Sequence, residues 1–365
     1  MSDRLVTSDA LSRHVTFTPK KTASEKRDFA ATVLFLVPAL FALSAWHAYQ
    51  LSFEGFSGND IALYAGHYFD VTYCGCLRYM EPGSSEYLWA YLMLAFSKLG
   101  FSFATFQFVV VLAQKFLWLT FALISVRSIG GSRGITALAL VPVVLLLMQV
   151  YPFLISGQSN ILRAGLAVPV SSLAVLAWWH HRRVLAVVLL VCTAGLHEQL
   201  IWIALSGFLF FLLIRKAIAG FAFWSLAIAY LLGLSTLIAR FVVPPSLLRA
   251  GLEYGAGSGY DVGIRWDFAL LTVVLYALIA LLTSQQGFEG RLSSWMTGLS
   301  VPFLLVGGAA AYADRWISPM WSVSAVLLVV LGFHRMPDRA KAPVALLSLF
   351  ASVGLLLLAQ PQPPI

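Results

Sequence analysis

From Ala30 to about Phe53 the chain carries an apolar run, preceded by a polar and basic stretch of 29 residues. Further apolar blocks follow at about 101–125, 134–155, 164–179, 184–199, 200–214, 221–239, 267–283, 295–311, 317–333 and 342–359. A hydrocarbon core needs about 20 helical residues to cross. The pattern therefore predicts an all-α, polytopic integral membrane protein of about 11 transmembrane helices. Several blocks are shorter than ~17 residues, so those helices must be broken, tilted or sheltered by neighbours. The first run exceeds the ~7–15 residues of a signal-peptide core, and is read as a retained span with a cytoplasmic N-terminus. The expected plan is a basic tail at 1–29, a single membrane domain at 30–359 with outer loops at 54–100 and 240–266, and a short tail at 360–365. The second loop follows Pro244-Pro245 and is rich in glycine.

Residues 86–98, EYLWAYLMLAFSK, are apolar but only 13 long. If they cross, every later helix reverses. Lys and Arg collect on the cytoplasmic side of membrane proteins, and this decides between the two topologies. Without a crossing, 16 Lys and Arg fall inside and 7 outside, with Lys115 inside a span; with one, the split is 12 to 11. The segment is read as a re-entrant or interfacial half-helix.

Composition agrees with the pattern. The 365 residues are 60% hydrophobic and 11% charged, with a mean hydropathy of +0.84. Soluble domains carry roughly 25% charged residues. A soluble enzyme, a disordered chain, a disulfide-rich secreted module and a nucleic-acid binder are excluded. The excess of 24 Lys and Arg over 16 Asp and Glu reads as topology signal. No P-loop, zinc-type Cys/His spacing or GxSxG motif occurs, so neither cofactor nor metal is expected. Of the three cysteines, Cys74 and Cys76 are too close to form an unstrained ring and are expected not to be bonded to each other.

The topology rests on Lys and Arg alone, yet it also places most of the unusual acidic and polar residues on the outer side. Ionisable residues at membrane depth read by default as a functional site. His197-Glu198 lies between two short apolar blocks flanked by basic clusters. Both clusters belong inside, so the chain must go out and return near Gly195–Gln199. His197 suits general acid or base work; otherwise it is an interfacial His bonded to a carbonyl. Ile201 breaks an HExxH pattern, which excludes a zincin. Asn160 and Arg163, three apart, share a face if helical. Arg at a helix N-terminus opposes the macrodipole and calls for an anion: a structural carboxylate such as Glu81 or Asp60, or a ligand phosphate held bidentately. Asp60 and Tyr64 stand at i, i+4 in an aromatic-rich stretch that suits sugar rings or a membrane-interface belt. Glu81 precedes Pro82-Gly83 and the half-helix, as a structural carboxylate or an acid/base. Asp314-Arg315 supplies a second outer arginine, for a phosphate clamp or an ion pair. His197, Glu81 and Asp60 are the catalytic candidates. Arg163, Asn160, Arg315, Asp314, Tyr64, Arg265 and Glu198 are the substrate-binding candidates.

These motifs stand in a telling order. An N-D-x-x-x-x-Y loop precedes E-P-G and an apolar segment ending K-L-G-F-S-F. Then come N-x-x-R, a basic cytoplasmic turn, a His on the next hairpin and a late acidic–Arg pair. The order, over about residues 55–215 and 311–320, resembles the EpsG family of Wzy-like bacterial polysaccharide polymerases. The chain departs from that pattern at Ala164, where the family usually has Gln, and at Gln199. The resemblance implies a fold similar to that of polytopic lipid-linked glycosyltransferases (GT-C-like). It also implies polymerisation of undecaprenyl-diphosphate-linked oligosaccharide repeat units at the periplasmic face of the inner membrane. The partners implied are the lipid-linked oligosaccharide, the membrane, and a flippase and chain-length regulator of the same pathway; no nucleic acid is expected. The residues themselves leave open another lipid-linked glycan transferase: a ligase, or an enzyme using a polyprenyl-phosphate sugar. They also leave open a flippase or transporter, which the one-sided polar distribution disfavours.

Overall fold

The computed structural model describes residues 23–53, 59–75, 86–130, 135–242, 263–284, 286–309 and 313–358, and every regular element among them is helical. In chain order these are α1 Ala23–Phe53, α2 Asn59–Cys74, α3 Tyr87–Lys98, α4 Phe103–Ser128, α5 Ile135–Leu138, α6 Leu140–Val150, α7 Pro152–Ser159, α8 Leu162–Trp179, α9 Arg183–Leu196, α10 Glu198–Leu213, α11 Lys216–Leu231 and α12 Leu234–Val242. After a gap come α13 Trp266–Leu282, α14 Gly287–Val306 with a 3-10 turn at Gly307–Ala309, α15 Ala313–Arg335 and α16 Asp338–Leu358.

Five of these helices, α4, α8, α14 with its 3-10 turn, α15 and α16, are long and apolar enough to cross a membrane. A sixth span forms if α6 and α7 count as one, although they bend by 75°. The expectation of about 11 spans is therefore not confirmed among the described residues. The reason is that apolar blocks are interrupted by backbone breaks that hydropathy does not register. At Tyr151 the backbone turns extended, as a residue before proline prefers, and Pro152 opens α7. At Gly233 a positive φ of 81° separates α11 from α12, a conformation glycine adopts without steric cost. α9, α10, α11 and α13 are apolar but shorter than 18 residues. α3 has 12 residues, roughly 18 Å of helix, well short of a ~30 Å hydrocarbon core.

Small residues let the helices approach closely, as they do in membranes. A Cβ on Gly298 of α14 would lie 2.7 Å from the Gly207 Cα of α10, and the two helices pack along much of their length. Polar groups join others: the Trp321 indole donates to Thr272 (2.9 Å) and the Thr297 hydroxyl to the Ala219 carbonyl (3.2 Å). Beyond the end of α10, cations meet helix C-termini, where the dipole favours them. Lys216 donates to the carbonyls of Ala280 and Thr283, and Arg291 to that of Ile214.

Two contacts fix the level of the site. The Gln114 amide, eleven residues into α4, donates to the Leu162 carbonyl at the start of α8 (3.1 Å). The Ser128 hydroxyl ending α4 meets the His180 ring just past α8 (2.9 Å). α8 thus lies along the second half of α4. The first half of α4 continues roughly 16 Å beyond it, and α2 and α3 pack beside that half. The floor where α8 begins is recessed. Cys74 is disulfide-bonded and Cys192 is free, which corrects the expectation for Cys74; Cys76 lies outside the described residues.

Candidate active site

Five parts of the chain meet at the recessed floor: the first turns of α2, α3, α8 and α15, and the break between α9 and α10. That break is His197, whose extended backbone ends α9 and opens α10. It falls within the turn expected at Gly195–Gln199. Gly195 brings α9 against α3: a Cβ there would stand 2.8 Å from the Leu88 Cβ. This contact places Glu86, just before α3, beside His197.

Glu86 organises one half of the site. One oxygen forms an ion pair with Arg163. The other stands 3.7 Å from His197 Nδ1 and accepts from the Glu198 backbone N–H at 3.3 Å. Arg163 also reaches Tyr64: its Nε donates to the phenol oxygen at 3.4 Å, and the guanidinium lies 5.4 Å from the ring centroid. Tyr64 is buried, edge-on to Trp89. Asp60 organises the other half. Its carboxylate pairs with Arg315 at 3.1 Å, and its backbone N–H donates to the Asn160 side chain at 3.0 Å. Asp60 and Tyr64, one turn apart on α2, thus each hold one arginine.

His197 is the focus. Its Nδ1 is buried with no hydrogen-bond partner among the described residues. Burial, then the charges of Arg163 and Arg315, push its pKa down from 6.5 to about 3. The ring is therefore neutral at physiological pH. It lines a small cavity with Ile161, Ala164, Gln199, Arg315 and Ser318.

Six expected residues therefore gather: His197, Asp60, Arg163, Asn160, Arg315 and Tyr64. Others differ. Asn160 and Arg163 do not share a helical face, because Asn160 precedes α8 with φ −134°, yet both reach the cluster. The carboxylate on Arg163 is Glu86, where Glu81 or Asp60 was expected. Glu198 contributes its backbone N–H, and its side chain is exposed. Arg265 forms a bidentate pair with Asp267 (3.0 and 2.7 Å) and lies 3.9 Å from the Phe268 ring centroid. Glu81 and the Asp314 side chain lie outside the described residues. Sequence reasoning missed Glu86 as a site residue. Its signal was a lone carboxylate directly ahead of the apolar half-helix. No group of three His, Cys, Asp or Glu able to hold a metal occurs among the described residues.

No curated protein and no solved structure matches the chain. The EpsG family profile matches residues 31–360, well beyond the stretches that carried the resemblance. Nearly the whole chain is covered, and the protein belongs to the EpsG family of Wzy-like polymerases.

Proposed function

We propose that the protein polymerises polysaccharide repeat units carried on a polyprenyl diphosphate, at the periplasmic face of the bacterial inner membrane. The observation that supports this is the convergence of two arginines, two carboxylates and a neutral histidine on a recessed floor beside a cavity. Arginine binds phosphate bidentately, and preorganised cations stabilise charge that develops on a leaving group. A donor already activated as a diphosphate ester needs no nucleotide.

In the step we infer, an acceptor sugar hydroxyl attacks the anomeric carbon of the donor. The new C–O bond forms as the bond from that carbon to the phosphate oxygen breaks. The diphosphate leaves with the electron pair, its charge met by Arg163 and Arg315. The hydroxyl proton passes to His197. With Nδ1–H facing Glu86, Nε2 is the nitrogen that takes it. An incoming diphosphate also raises the basicity of His197, because it neutralises the two cations that depress it. Glu86 and Asp60 hold the arginines in place until then.

The test is the lipid-linked glycan profile of a strain lacking the protein. Single repeat units accumulating on lipid, with polymer restored by the wild-type chain, support the reading. Polymer of normal length in the deletion strain overturns it. The topology has its own test. Leu99→Cys should be labelled by an impermeant thiol reagent in intact cells, and Gln286→Cys only after permeabilisation.

A further inference from the structure

A second cavity, of about 200 Å³, lies deeper than the cluster, between α4, α7, α8 and α15. It shares Ile161, Ala164 and Ser318 with the smaller cavity at His197 and Arg315, so the two adjoin. The fold makes room for it by a specific device. The bend at Tyr151 turns α7 away from the line of α6, and Gly157 of α7 packs directly on Gly165 of α8.

The lining is unusual for membrane depth. Gln114 and Trp118 of α4 stand near the midpoint of that 26-residue helix. Ser156 of α7 and Ser318 and Ser322 of α15 bring three hydroxyls. Some helical serines of the bundle bond the carbonyl four residues back, as Ser44, Ser128, Ser159, Ser172 and Ser300 do, while others, such as Ser125 and Ser294, are buried without a partner among the described residues. None of the three cavity hydroxyls makes a hydrogen bond among the described residues. A polar group without a partner in an apolar medium is costly, and intramembrane polar groups mark ligand paths. Ser318 and Ser322, one turn apart on α15, share the lining with the rings of Trp118 and Phe153. A pyranose ring has this same division, with apolar faces and hydroxyls around its edge. An isoprenoid tail would leave all three hydroxyls and the Gln114 carbonyl oxygen unmatched.

We infer that this cavity is a saccharide subsite that holds one sugar ring of the lipid-linked substrate, next to His197 and Arg315. The inference rests on the polymerase reading and adds to it the place where the glycan is recognised. Ala164 borders both cavities with a small side chain, so a larger one there would narrow the boundary between them.

The experiment uses the full chain with Cys192→Ser and either Ser322→Cys or Ser318→Cys, purified in detergent. A charged methanethiosulfonate should label both cysteines. Lipid-linked repeat units, extracted from cells lacking the protein, should slow labelling by about tenfold at ten times their Kd. Undecaprenyl diphosphate without sugar should not slow it. Equal protection by the sugar-free lipid would make the cavity an isoprenoid site and overturn the inference. Absence of labelling at both cysteines, or of protection by either lipid, would overturn it too. Ala164→Leu should abolish protection at Ser322→Cys. These readouts do not depend on turnover. Failed protection in a protein that still restores polymer therefore removes the subsite and leaves the polymerase reading standing.

Discussion

Acid should destabilise this protein through His197. Its pKa falls from 6.5 to about 3 in the folded chain. Below pH 6.5 the unfolded chain takes up a proton that the folded chain refuses. The stability held by the neutral ring is therefore fully present above the unfolded value. It is lost progressively as pH falls toward the folded one. One pKa unit corresponds to about 1.4 kcal/mol. Acidification to about pH 4.5 should thus cost about 3 kcal/mol, with a ceiling of about 5 kcal/mol near pH 3. His197→Gln keeps a neutral polar side chain and removes the titration. The assay is unfolding of the purified protein in mixed micelles at about pH 7.5 and about pH 4.5, with wild type and variant in parallel. Carboxylate titrations occur in both and cancel in the difference. Wild type should lose about 3 kcal/mol more than the variant. Arg315→Met should shrink that loss, because one of the depressing charges is gone. Equal acid sensitivity in wild type and His197→Gln would refute the reasoning.

Other expectations follow from the same geometry. Arg163→Ala should lower polymer synthesis by roughly 10²–10³-fold, with partial recovery in Arg163→Lys, which lacks the planar fork; glycan profiles at matched membrane expression decide this. Glu86→Gln should also lose long polymer, because it releases Arg163 and removes the carboxylate beside His197. Wild-type chain lengths in that variant would reduce Glu86 to a spacer. Gly165→Ala should cost about 1–3 kcal/mol, since its Cβ would run into the backbone of Gly157, whereas Gly332→Ala meets nothing within 4 Å and should stabilise by about 0.5–1 kcal/mol; unfolding in micelles compares the two.

Much of the site could be read from the chain because charge is expensive in a membrane. Asp60, Tyr64, Arg163, His197 and Arg315 stand out against apolar sequence, and the count of Lys and Arg put them on one side. Their pairing was not legible in the same way. Whether Arg163 meets Glu81 or Glu86 depends on where α3 begins, and that is set by Leu88 closing on Gly195, more than 100 residues away. The depression of His197 by burial, and then by two arginines from α8 and α15, is likewise a tertiary effect. The lengths of the helices were less legible, for a local reason. Hydropathy averages across Tyr151 and Gly233, where dihedral angles cut an apolar block in two. Pro152 marked the first break in plain sight, but an apolar block as a whole carries no sign of a 75° turn.

The recess has a consequence for how the chain sits in lipid. α8 begins level with the midpoint of α4, and α9 and α10 have only 14 and 16 residues. At ~1.5 Å per residue these come to roughly 21 and 24 Å, less than the ~30 Å of a hydrocarbon core. Helices this short set the cluster below the far end of α4, where a lone charge would be poorly solvated. Two cations, two carboxylates and a neutral imidazole carry no net charge, which suits a cluster set that deep. The same neutrality leaves little to attract small free anions such as inorganic phosphate. On the proposed reading this favours an anion that is one part of a larger molecule, because the other parts of that molecule can bring it down to the floor.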